Sequence, residues 1–131
     1  MYLHLTSNDS ASYYPTNSPF DFTVNLPTVL PLEGGRDRWK IALTDFKLVG
    51  RKWNRRDLYV YCDLASHDTY VSDCYRPLLR IVDKSGEIKR PSYTSVSREN
   101  VRRIRVYIRD KRERMPDIPA ESVRCTIHLK R

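Results

Sequence analysis

Apolar and polar residues alternate along most of this chain. In FDFTVNL (20–26), Phe20, Phe22, Val24 and Leu26 fall on one side, and Asp21, Thr23 and Asn25 on the other. That two-residue period is the signature of a strand with one face on a core. SVRCTIHLK (122–130) repeats it, setting Val123, Cys125, Ile127 and Leu129 against Arg124, Thr126, His128 and Lys130. DLYVYCDL (57–64) places Leu58, Val60 and Cys62 opposite Tyr59, Tyr61 and Asp63. YLHLT (2–6) offers Leu3 and Leu5 to a short first strand, and PLLRIV (77–82) reads as a buried strand ended by the turn DKSG.

Two stretches need more than a simple period. RWKIALTDFKL (38–48) starts with Trp39, Ile41 and Leu43 inward, but Phe46 and Leu48 lie on the other parity. One extra residue, a bulge near Thr44 or Asp45, restores the phase. VRRIRVYIRDKRER (101–114) looks like a basic arm. Yet Ile104, Val106 and Ile108 share one side of it, with Arg103, Arg105, Tyr107 and Arg109 on the other. A helix would scatter these arginines, whereas a strand aligns them. Residues 101–109 therefore read as a core strand, and DKRERMP (110–116) as the exposed connection to the last strand.

No segment holds a helical apolar period for three turns. SVSREN (95–100) is the best helical candidate, a single turn with Ser97 as its cap. The expectation is an all-β sandwich or barrel of seven to eight short antiparallel strands. At 131 residues, 1–131 reads as a single domain, long enough to bury roughly two-thirds of its unfolded surface.

Composition sharpens this picture in a few places. With 40% hydrophobic residues and 11% aromatic, the chain has a globular composition. Its nine Tyr favour strands and contact surfaces. The net charge of +8 favours acidic partners: nucleic acid, anionic lipid or acidic protein faces. No run of about 18 apolar residues and no secretory leader is visible, so neither a membrane span nor secretion is expected. Cys62, Cys74 and Cys125 have no metal-binding spacing and read as reduced core cysteines.

Enzyme chemistry finds no foothold in these residues. His4, His67 and His128 are scattered, and SHD (66–68) resembles a triad only in spelling, since triads assemble from distant segments. Gly34 and Gly35 sit in a turn before a strand and not in a phosphate loop. No enzyme activity, small-molecule substrate, cofactor or metal is expected.

Two basic clusters remain as candidate interaction residues. In RKWNRR (51–56), Trp53 could stack a base while Arg51, Lys52, Arg55 and Arg56 meet phosphates. The alternative, which a Trp bracketed by strands favours, is an anchor packed into the sandwich among solvated charges. The row Arg103, Arg105, Tyr107 and Arg109 could meet phosphates or the carboxylates of a neighbouring subunit. Like charges on one sheet face destabilise it unless something answers them, so a partner is expected. Protein is the first choice and DNA the second.

The order of these segments also carries a resemblance across nearly the whole chain. Phe22, Val24, Leu26 and Pro27 are followed by Leu32 and Gly34, then by Trp39, Ala42, Leu43 and Thr44. Tyr59, Tyr61 and Asp63, then Leu78, Leu79 and Arg80, then Pro91, Tyr93 and Val96, and finally Leu129 and Arg131 complete it. Each motif alone is mostly strand pattern; their order and spacing are more specific. Together they resemble a family of uncharacterised virion-associated proteins of Polinton (Maverick) elements and related animal DNA viruses, adintovirus- and adomavirus-like. The chain departs from that pattern where RKWNRRD joins two strands without the longer insert, and where Val71-Ser72-Asp73 stands for V-G-D. The resemblance implies a jelly-roll-like sandwich and a capsid or virion component. Such a protein would assemble with itself and with other capsid proteins in the virion, after passing through the host nucleus or cytoplasm. The competing expectation is a basic module that anchors or condenses a viral genome.

Overall fold

The computed structural model describes residues 1–50, 57–83 and 86–131. The strands are β1 (Tyr2–Thr6), β2 (Asp21–Pro31), β3 (Lys40–Gly50), β4 (Leu58–Cys62) and β5 (Thr69–Val71). They continue as β6 (Cys74–Arg76), β7 (Leu78–Val82), β8 (Thr94–Ser95), β9 (Asn100–Arg109) and β10 (Ala120–Lys130). A 3-10 turn, Gly35–Asp37, is the helical element among the described residues. The protein is all-β and antiparallel, as the alternation predicts.

Two four-stranded sheets, β1-β10-β3-β8 and β2-β9-β4-β7, form the body, with β5 and β6 as a separate hairpin. Both sheets contribute to one hydrophobic cluster. Leu43, Ile127 and Leu129 enter it from the first sheet, and Phe22, Val60 and Ile104 from the second. Setting the β5–β6 hairpin aside, the pairing follows a simple rule. The first strand pairs with the last (β1 with β10), the second with the seventh (β2 with β9), and the third with the sixth (β3 with β8). The fourth pairs with the fifth, β4 with β7. The chain is thus a long hairpin wound on itself, and β10 with β3 and β9 with β4 close the two sheets.

The phase change in β3 is a bulge at Thr44. Asp45 faces Thr126 and Leu43 faces Ile127, so Thr44 is the unopposed residue. Its hydroxyl donates to the Thr126 carbonyl at 3.2 Å. The extra residue returns Phe46 to the core, where it is buried, and packs Leu48 against it.

Three expectations change. The strand read at 20–26 runs on to Pro31, past an irregularity between Asn25 and Leu30. SVSREN is not helical: Ser95 ends β8, Val96 bridges to Ala65, and Asn100 opens β9. Burial of Val96 holds this segment extended, and the Ser97 hydroxyl donates to the Asp63 and Leu64 carbonyls instead of capping a helix. Third, Cys62 and Cys125 are buried but Cys74 is exposed, because it lies on the β5–β6 hairpin away from the core. Burial pushes the Cys125 thiol up to about 12 and raises Cys62 as well. The hairpin itself turns through Ser72 and Asp73, with φ of 48° and 67°. Such left-handed pairs make the tight turns that match strand twist.

Candidate functional site: the arginine and tyrosine face of β9

β9 runs between β2 and β4, so its outward residues sit in the middle of a sheet. Ile104, Val106 and Ile108 are fully buried on the inner side. Arg103, Arg105, Tyr107 and Arg109 project from the outer side, as the alternation predicts, and three of the four are tied together. Arg105 grips Asp21 on β2 with both ends of its fork, Nε to Oδ1 at 2.9 Å and Nη2 to Oδ2 at 2.7 Å. Arg109 reaches the same carboxylate at 3.5 Å and donates to the Ile108 and Phe20 carbonyls at 2.9 and 3.3 Å. Their guanidiniums lie 4.6 and 5.2 Å from the centre of the Tyr107 ring, so one aromatic face system serves two cations.

The network continues across β4. Tyr61 stands opposite Tyr107 in register and stacks on it, with centroids 4.9 Å apart and planes at 16°. Although it points away from the core between the sheets, Tyr61 is fully buried. Its phenol donates to Glu113 Oε1, and Glu113 Oε2 lies 3.5 Å from Arg76 Nε on β6. The 110–116 connection is therefore not simply exposed: Asp110 and Pro116 are buried, and Glu113 folds back over the sheet. At the other end, Asp63 accepts the Arg105 backbone N–H at 3.0 Å and pairs with Arg98 at 3.3 Å. Among the described residues, no carboxylate pairs with Arg103; its carbonyl accepts a bond from Arg98 at 3.2 Å.

The electrostatics follow from this geometry. The Arg105 hydrogen bonds hold the Asp21 carboxyl below its ordinary range, and the same contact raises Arg105. Burial raises Tyr107 against the pull of Arg105, Arg76 and Arg109. The arginine row was expected to need an outside partner. The chain answers much of it by itself, because β2 brings Asp21 against Arg105 and Arg109. The β2–β9 register that does this cannot be read from either strand alone. Arg51, Lys52, Trp53, Arg55 and Arg56 lie outside the described residues.

The histidines serve local contacts. His4 Nδ1 is 3.0 Å from Thr126 Oγ1, and His128 Nδ1 is 2.6 Å from the Tyr93 hydroxyl beneath a stacked Tyr2. Among the described residues, no group of three or more His, Cys, Asp and Glu is placed to hold a metal ion. No helix of the described residues is long and apolar enough to cross a membrane.

No family model, curated protein or solved structure matches the chain.

One prediction tests the Asp21 clasp. Asp21→Asn is expected to cost about 1 kcal/mol at neutral pH, since the pair is partly solvated. The folded carboxyl titrates below its unfolded value of about 3.9, so its contribution is complete above that value. It is lost as pH falls through the lower folded value. Urea midpoints measured from pH 7 downward should show a shallower acid decline in the variant than in the parent.

Proposed function

We propose that this protein is a non-enzymatic structural subunit of a DNA virus or virus-like element, and that its sandwich is a jelly roll. The observation that carries this reading is the winding: eight strands paired first to last, second to seventh, third to sixth and fourth to fifth. Two sheets built from such a wound hairpin are the jelly-roll plan, which recurs in viral capsid and lectin domains and in cupins. Fold alone does not fix function, so the site must choose among these. Here the space between the sheets is filled by apolar side chains such as Phe22, Leu43 and Ile104, each fully buried. That favours a body whose work is done on its outside. The order of motifs that resembles virion-associated proteins of Polinton elements supports the same choice.

Assembly would use faces and edges, with copies of itself and with other capsid proteins. Arg103 is exposed on the β9 face with no carboxylate partner among the described residues, and the β5–β6 hairpin presents Tyr70 and Tyr75 at 61% and 63% exposure. Tyrosine and arginine are the residues that interfaces favour. Light scattering coupled to size exclusion should show association that grows with concentration. A monomer at every concentration and salt, with other capsid proteins present, contradicts assembly.

A second reading is favoured by the net charge of +8 and by exposed Arg102 and Arg103: binding of a packaged genome. Phosphate-driven affinity falls by about 0.9 log units per log unit of salt for each contact. A gel shift at low salt that disappears along such a slope supports this reading, and no shift at low salt removes it.

A further inference from the structure

The four sheet edges of the sandwich are not treated alike. At β2 the edge is closed by side chains: Asn17 Oδ1 accepts the Thr23 N–H at 3.0 Å, and its Nδ2 donates back to the Thr23 carbonyl at 3.0 Å. Ser10 Oγ takes the Asn25 N–H at 2.9 Å. An amide and a hydroxyl thereby occupy backbone groups that another strand would use, a common way to blunt an edge. On β1, Asp9 takes the Thr6 N–H at 3.0 Å in the same manner.

β7 is different. It ends its sheet with β4 on one side and, among the described residues, no strand on the other. Along it runs an open groove of about 580 Å³, with Leu78, Leu79, Arg80 and Ile81 on one wall and Arg90, Ser92, Tyr93 and Thr94 on the other. Arg80 Nη1 donates to the Arg90 carbonyl, fixing one guanidinium beside the second arginine. Among the described residues, no carboxylate lines the groove. Ile81 remains 44% exposed within this strand.

We propose that the β7 groove binds an extended acidic peptide segment of a partner protein by strand addition. Backbone pairing to β7 supplies register and affinity, Ile81 meets an apolar side chain, and Arg80 and Arg90 select carboxylates. A second copy of β7 is a poor occupant, because it would set Arg80 and Arg90 against their own equivalents. Nucleic acid could meet the two charges but would leave the strand edge and the apolar wall unused. The inference concerns the folded chain by itself and does not rest on the virion reading.

The test uses a fluorescein-labelled peptide of alternating glutamate and valine, with anisotropy as the readout. Saturable binding is expected, falling at least about tenfold with Arg80→Glu or Arg90→Glu. Replacing the peptide's glutamates with lysine should abolish binding without altering the protein. N-methylation at alternate residues, in one of its two registers, should abolish it as well. Equal binding of both N-methylated peptides would overturn strand addition, as would charge reversal at either arginine without effect. A single-stranded oligonucleotide that displaces the peptide and loses affinity in the same arginine variants would assign the groove to nucleic acid instead.

Discussion

Ile104→Ala is expected to cost about 2–5 kcal/mol of folding stability, while Arg103→Ala, one residue earlier, changes it by no more than about 0.5 kcal/mol. Ile104 is fully buried in the central strand of its sheet, opposite Val24 in register. Truncation removes its transfer free energy and leaves a cavity between two packed sheets that cannot fully collapse. Arg103 points outward, and its contact with Arg98 uses only the backbone carbonyl, which alanine keeps. Chemical denaturation of the two variants reads the difference directly. Equal losses would mean that 103–109 does not bury alternate residues, and the reading of a core strand with a charged outer row would fail.

The second large effect lies in the loop after that strand. Asp110→Ala is expected to cost about 1–3 kcal/mol, because the Asp110 carboxylate ties the loop to itself. Its Oδ1 accepts the N–H groups of Arg112 and Arg114 at 2.8 and 2.9 Å, while its backbone bonds to Glu113 and Arg114. These bonds hold Glu113 at a φ of 62°, a left-handed conformation that a side chain rarely adopts unaided. Glu113 is thereby delivered over the sheet to Tyr61 and Arg76. Without Asp110 the two loop N–H groups lose their acceptor and the buried Tyr61 phenol loses its fixed one. Asp110→Asn keeps an oxygen in place and should recover most of the loss. Burial works to raise the Asp110 carboxyl, but the bonds from Arg114 and Arg112 outweigh it and the net shift is downward. Its contribution is therefore also lost in acid, as pH falls below the unfolded value of about 3.9. Thermal melts of parent, alanine and asparagine variants at pH 7 check the ranking.

The fold was legible where a residue's direction depends on its own strand. Alternation placed Phe22, Val60, Ile104 and Ile127 inward, and the parity break before Phe46 narrowed the bulge to Thr44 or Asp45, of which the register selects Thr44. Neither the inward placement nor the narrowing needs a neighbouring strand. What depends on pairing was not legible. Asp21 was only a polar position on β2 until the register set it against Arg105. Tyr61 was an outward tyrosine until Tyr107 and Glu113 covered it. The short β5–β6 hairpin escaped notice because Ser72-Asp73 replaces the glycine-bearing turns that announce hairpins. SVSREN misled for the opposite reason: its serine caps backbone carbonyls across strands, and a buried Val96 outweighs the local preference for a turn.

The arginine row shows how register alters a functional argument. Read as a stripe, Arg103, Arg105 and Arg109 demanded a partner. With Asp21 clasping Arg105 and reaching Arg109, the charge left unpaired on that face, among the described residues, is chiefly Arg103. The proposed docking then shifts toward the exposed Tyr70 and Tyr75 hairpin and the basic β7 groove, surfaces that the alternation pattern did not single out.

The central claim, that this sandwich is a structural component of a particle, is tested most directly by purifying particles from cells that carry the intact element. Mass spectrometry should find the chain in stoichiometric, protease-protected amounts, and a cryo-electron-microscopy map should show two four-stranded sheets wound as described at its position. Particles that form, package and mature without this chain, or that carry it only as a removable trace, would contradict the account.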